Sequence, residues 1–187
     1  MELRMIKKLN EGGAAIGGSR IPKDRVQPTI DAYVEQVLSA IPYDKYEPVG
    51  STGKKASNGD IDLAVETSLS LEEISTALKS LGIEHIVAKG LGELNTKFPQ
   101  YDANGPTEEF VQVDLMVGPP GAIDWLTFVY YAPFENETRY KPLNRTGTLY
   151  ALLRCATEEI REDGMTYFYS MAPNRGVFQK AGKNVVN

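Results

Sequence analysis

Apolar positions along the chain fall into two spacings, and the changes between them predict the elements. From Thr29, residues Ile30, Tyr33, Val34, Val37, Leu38 and Ile41 recur at helical intervals, with Thr29 a predicted N-cap after Pro28. A strand is predicted to end at Val49, and a loop over 52–59 leads to an apolar strand over 60–65. Ser70-Leu71-Glu72-Glu73 has the form of a capping box that opens a helix to Leu81, where Gly82 stops it. Strands are expected over 84–89 and about 94–98, with a turn rich in Asp, Asn, Gly and Pro over 101–107. In 110–117, alternation sets Phe110, Gln112, Asp114 and Met116 on one face and Val111, Val113, Leu115 and Val117 on the other. Helices near 122–131 and 148–161 follow. Residues 165–171 then alternate like a strand suited to pair with an exposed sheet edge. Residues 1–9 suit a short amphipathic helix, and the glycines from Gly12 to Gly18 suit a flexible segment.

The 187 residues suffice for one domain with a real core, with or without a small subdomain. With 42% hydrophobic and 24% charged residues, the composition is that of a globular protein. The lone Cys155 excludes an internal disulfide, and its apolar surroundings predict a buried helix thiol. The one histidine, His85, excludes His-rich zinc sites, disfavours a Ser-His-Asp hydrolase and is expected on the solvent face of a strand. No apolar run approaches a membrane span, so a cytoplasmic protein with no membrane partner is expected. A net charge of −5 argues against sequence-independent coating of nucleic acid but leaves room for a local groove.

One stretch changes this plain picture. Gly50-Ser51 precedes Asp60-Ile61-Asp62, which in turn leads into the apolar strand. Two carboxylates two apart on extended backbone share a face and repel unless a cation lies between them. Oxygen-only ligands suit Mg²⁺ or Mn²⁺, and a Gly-Ser turn can hold phosphates through its hydroxyl and backbone N–H groups. An Asp-x-Asp pair alone also occurs in sugar-nucleotide transferases, phosphatases and calcium loops. The distant Asp114, an acid among hydrophobic neighbours, adds weight, because burying it is costly without a partner. If its strand lies beside the first, three carboxylates could hold two cations about 4 Å apart.

Gly50-Ser51, Asp60-Ile61-Asp62 and a lone strand aspartate, Asp114, resemble the DNA polymerase beta-like nucleotidyltransferase superfamily. Within it, the closest likeness is to family X polymerases. Lys89-Gly90 through Lys97-Phe98 resembles the hairpin before the third aspartate, and Val117-Gly118-Pro119-Pro120 with 125–131 the following turn and aromatic helix. Leu143-Asn144-Arg145 is similar to the start of the thumb. The resemblance implies an α+β fold, a palm whose mixed or antiparallel sheet carries the aspartates under packed helices. It places a flexible segment at 1–25, the palm at 26–132, and a small helical, thumb-like subdomain with a tail at 133–187. It implies a catalytic and metal-holding triad of Asp60, Asp62 and Asp114 around two Mg²⁺ or Mn²⁺ ions. Gly50, Ser51 and Lys54 would contact the triphosphate of a nucleoside triphosphate, and Asn144 and Arg145 its base or sugar. The implied acceptor is an RNA or DNA 3′ end, with a protein or small-molecule hydroxyl as the alternative. A binding module without turnover is a further option. This chain departs from family X in using Lys54 where an arginine-rich turn is usual, and in lacking the Tyr-Phe-Thr-Gly-Ser sugar-discriminating turn.

Overall fold

The computed structural model describes residues 15–88, 92–130, 145–172 and 176–186, with 145–148 as backbone only. In chain order the elements are β1 (Ile21–Pro22), α1 (Lys23–Gln36), β2 (Lys45–Pro48), β3 (Ser57–Asn58), β4 (Asp60–Glu66), α2 (Leu71–Ser80), β5 (His85–Ala88), β6 (Glu93–Asp102), β7 (Gly105–Gly118), α3 (Ile123–Val129), α4 (Arg145–Thr157), β8 (Glu159–Ile160), β9 (Thr166–Ala172), β10 (Gly176–Ala181) and β11 (Asn184–Val185). The chain is therefore α+β.

A five-stranded mixed sheet, in the order β2-β4-β7-β6-β5, carries the candidate residues. β4 and β7 run parallel, whereas the other neighbouring pairs are antiparallel. Period-two alternation gives the two faces different chemistry. Ile61, Leu63 and Val65 of β4 and Val111, Val113, Leu115 and Val117 of β7 turn toward α1 and α2 and form the main core with Ile30, Tyr33, Ile74 and Leu78. Each such side chain contributes about 1.5–3 kcal/mol by leaving water. On the opposite face, Ala64 and Met116 are covered by Ile123 and Leu126 of α3. Toward the start of β4 that same face carries the acids.

One local signal acts as expected. Ser70 accepts from the Glu73 N–H while the Glu73 carboxylate accepts from the Ser70 N–H, closing both halves of the capping box. A Glu66 oxygen accepts the Ile123 N–H at 3.0 Å, tying the first turn of α3 to the end of β4.

Several expectations are corrected. α1 begins at Lys23 and takes Pro28 inside it, so Thr29 is no cap. The Thr29 hydroxyl is buried and accepts the Tyr101 N–H at 2.8 Å instead, a tertiary partner outbidding a local one. Among the described residues the C-terminal part is not the expected helical subdomain but one helix with four strands. α4 packs on β9 of a four-stranded antiparallel sheet, β11-β10-β9-β8, so β9 pairs with its own neighbours rather than with an edge of the larger sheet. Cys155 is exposed, because α4 turns other positions toward β9. His85 is part-buried, held by the Ser75 hydroxyl at 2.7 Å and the Ile83 carbonyl at 2.9 Å. Gly18 packs against β7 and Ile16 is buried, while Gly17 between them is exposed with open space around it; the earlier glycines of the segment expected to be flexible, Gly12 and Gly13, lie outside the described residues. The expected helix over 1–9 lies outside the described residues. Among the described residues no helix is long and apolar enough to cross a membrane.

Candidate metal centre

The register of the parallel pair brings the early and late acids together. Asp62 stands opposite Asp114, and Asp60 opposite Gln112. Since all of these positions share a face, carboxylate oxygens of Asp60, Asp62 and Asp114 lie within 4.8 Å of one another. Three acidic residues are thus close enough to hold a metal ion.

Their environment is costly for bare anions. Burial pushes the Asp62 carboxyl well above the usual carboxylate range, and the charges of Asp60, Asp114 and Glu93 add to the push. Burial likewise raises Asp114, to about 6, although hydrogen bonds from Asn95 and Gln112 work against the rise. The Asn95 amide donates to Asp114 Oδ1 at 2.7 Å, and Gln112 Nε2 donates to both Asp114 oxygens at 2.8 and 3.0 Å. These donors aim the carboxylate and engage both lone pairs of Oδ1 and one of Oδ2, which leaves the remaining Oδ2 lone pair for a cation. A divalent cation placed among the acids would relieve the remaining repulsion.

The Gly50 turn is fastened to Asp62 by backbone. Val49 N–H donates to the Asp62 carbonyl at 3.0 Å, and the buried Thr52 hydroxyl accepts the Asp62 N–H at 2.8 Å. Gly50, at φ +61°, comes so near that an added Cβ would lie 2.3 Å from Asp62 Oδ2. Turn and carboxylate therefore form one rigid unit. The Ser51 carbonyl accepts from Lys54 N–H at 3.0 Å and from the Asn58 amide at 2.6 Å, and Asn58 also reaches Ser51 Oγ at 3.3 Å. Lys54 Nζ donates to the Gly50 carbonyl at 3.0 Å, which keeps the ammonium at the turn.

One expected donor is otherwise engaged. The Gly50 N–H goes to the Tyr130 carbonyl at 2.9 Å, so it serves the fold and not a phosphate. This contact anchors the turn to the end of α3. The Tyr130 hydroxyl meanwhile donates to Glu93 Oε1 at 2.9 Å, and burial raises the Glu93 carboxyl. Glu93 is the fourth acid beside the three.

Asp60, Asp62, Asp114, Gly50, Ser51 and Lys54 are thus gathered at one end of the β4–β7 pair. Asn144 and the side chain of Arg145 lie outside the described residues; the backbone of Arg145 opens α4. The sequence reading passed over Thr52, Asn58, Glu93, Asn95 and Tyr130. Gln112 had a visible signal, since alternation set it on the face of Asp114. Asn95 had none until β6 was placed beside β7, opposite Asp114. No protein-family model matches the chain, and no curated protein matches it either.

Proposed function

We propose that the chain is a metal-dependent nucleotidyltransferase that moves a nucleoside monophosphate from a nucleoside triphosphate to an acceptor hydroxyl, releasing pyrophosphate. The observation that carries this reading is the parallel register of Asp62 with Asp114, which clusters three acids beside a Gly-Ser turn. It accords with the palm of the polymerase beta-like enzymes. The donor set is oxygen alone, which suits Mg²⁺ or Mn²⁺, and two such ions fit three carboxylates. When bound, the ions would lower the pKa of the acceptor hydroxyl and neutralise charge on the leaving pyrophosphate.

The protein's own groups do the rest. Asp60 and Asp62 face the triphosphate side, beside the Ser51 hydroxyl and the Lys54 ammonium that orient its β- and γ-phosphates. Asp114, aimed by Asn95 and Gln112, faces the acceptor side and keeps the attacking oxygen in line with the α-phosphorus. Fixed donors and charges of this kind need no reorganisation as charge develops. The acceptor is a nucleic-acid 3′ end in this reading, with a protein or small-molecule hydroxyl as the alternative. A module that binds nucleotide without turnover is the further alternative, and pyrophosphate release separates it from the enzyme.

The test is incubation of the purified chain with labelled ATP, CTP, GTP and UTP plus Mg²⁺ against RNA, DNA oligonucleotides and protein. Transfer that is present in the wild type and lost in Asp114→Asn supports the reading. An Asp114→Asn variant with near-normal transfer would remove that residue from the mechanism, and nucleotide binding with no pyrophosphate release would favour the inactive module.

A further inference from the structure

Gln112 is 4% exposed, and both ends of its amide are spoken for. Nε2 donates to the two oxygens of Asp114, while Oε1 accepts the backbone N–H of Ala15 at 3.2 Å. An amide turned end over end would present its carbonyl oxygen to the carboxylate, two acceptors face to face. The Ala15 N–H holds the amide the right way round. This contact joins residues 97 positions apart in the chain, so it is a product of folding and not of local sequence.

The segment from Ala15 to Arg20 is built to deliver that N–H. Gly18 lies against β7 so closely that a Cβ there would meet Gln112 N at 2.6 Å and the Val111 carbonyl carbon at 3.0 Å. Both are backbone atoms and cannot yield. Ser19 N–H donates to the Phe110 carbonyl at 2.7 Å, fixing the strap along the same stretch of β7. Beyond it, Arg20 grips Ser57 through its hydroxyl at 3.0 Å and carbonyl at 2.7 Å, and Ile21 pairs with Asn58. Asn58 is the residue that holds Ser51. One short strap therefore touches the support of Asp114 at one end and the support of the Gly50-Ser51 turn at the other.

We infer that this strap is part of the site: through the Ala15 N–H it fixes the orientation of Gln112, and so Ala15 and Gln112 are positioning residues for the metal-holding carboxylate of Asp114. The inference rests on the metal-centre reading above. It adds to that reading a dependence of metal affinity on a backbone donor that lies outside the sheet and carries no charge.

The experiment is a Mn²⁺ titration by calorimetry on the full chain, at constant pH, without nucleotide or acceptor. The proteins are wild type, Ala15→Pro, Gln112→Leu, the double variant, and Asp62→Asn as reference. Ala15 is exposed, and proline there removes the donor with little change of volume; thermal unfolding checks that each variant is folded. Gln112→Leu is expected to weaken Mn²⁺ binding about 10- to 100-fold, as loss of a ligand's hydrogen-bond partner commonly does. Ala15→Pro should weaken it about threefold or more, and the double variant should bind no worse than Gln112→Leu alone, since both act through one amide. Unchanged affinity in folded Ala15→Pro, or losses that simply multiply in the double variant, would overturn the strap's role and leave the metal centre standing. Wild type that binds Mn²⁺ no better than Asp62→Asn would overturn both.

Discussion

Asp62 lies directly opposite Asp114 across the parallel β4–β7 pair, and four residues along β4 the same face presents Glu66. Asp62 and Glu66, two of the three acids on β4, have opposite electrostatic situations. Asp62 is raised by burial and by its acidic neighbours. Glu66 is lowered by the backbone N–H groups of Gly121 and Ile123 at the start of α3. One strand thus holds an acid that the fold strains and an acid that the fold satisfies.

Neutralising each should therefore move stability in opposite directions. In EDTA, Asp62→Asn is expected to raise the thermal unfolding midpoint, by about 3 °C or more, while Glu66→Gln lowers it. With saturating Mn²⁺ the order changes: wild type gains stability through binding and Asp62→Asn does not. Differential scanning calorimetry with and without the ion checks both signs. A destabilised Asp62→Asn in EDTA would mean that the acids are not in conflict.

The same conflict sets a pH dependence. The Asp114 carboxyl sits at about 6 in the folded protein against an ordinary 3.8, so between those values the folded state holds more proton than the unfolded chain. Stability from this group is then fully present below 3.8 and is lost as pH rises through 6, by about 3 kcal/mol in all. Urea midpoints of wild type and Asp114→Asn in EDTA, compared from pH 4.5 to 7.5, should diverge upward in pH, with the variant the more stable at 7.5. Mn²⁺ affinity of the wild type should rise across the same range as protons are displaced. Parallel pH profiles for the two proteins would count against a strained Asp114.

The sequence carried the acids, the Gly-Ser turn and most element boundaries, because each leaves a local mark: alternation in 60–65 and 110–117, a capping box at Ser70, a stop at Gly82. It also carried Gln112, through alternation. It did not carry what depends on which strands meet. Asn95 faces Asp114 only through the β6–β7 register, and Gly50 loses its N–H to Tyr130 only because the end of α3 comes back to the turn. Thr29 misled for the same reason, a good local cap given a better tertiary partner in Tyr101. The C-terminal sheet was legible in one strand, 165–171, whereas β8 and β11 have two residues each and β10, Gly-Val-Phe-Gln-Lys-Ala, sets two apolar residues side by side instead of alternating.

Gly50 is where turn and carboxylate touch, so Gly50→Ala tests both at once. A methyl group would sit 2.3 Å from Asp62 Oδ2, on a backbone with φ +61° that L residues rarely adopt. Either the turn shifts or Asp62 does. A loss of about 1–3 kcal/mol in stability is expected from the backbone alone. Mn²⁺ affinity should fall along with it, because Asp62 cannot hold its place. A variant with full metal affinity and wild-type stability would show that the close approach is unimportant.

Lys54 supplies the last prediction, because its present partner says where it can act. Its ammonium donates to the Gly50 carbonyl at 3.0 Å, so it already stands at the turn proposed to receive the triphosphate. A phosphate oxygen carries full charge where that carbonyl carries a dipole, and the ammonium gains by exchanging one for the other. Lysine acts here as a point charge, giving attraction without the two-pronged geometry of arginine. Lys54→Met should then raise KM for nucleoside triphosphate about tenfold or more, the equivalent of 1.4 kcal/mol or above, with a smaller effect on kcat. The loss should shrink as ionic strength rises, since salt screens the wild-type attraction. Steady-state kinetics at 50 and 300 mM salt separates these effects. An unchanged KM with a large fall in kcat would place Lys54 at the reacting phosphorus instead of on the outer phosphates.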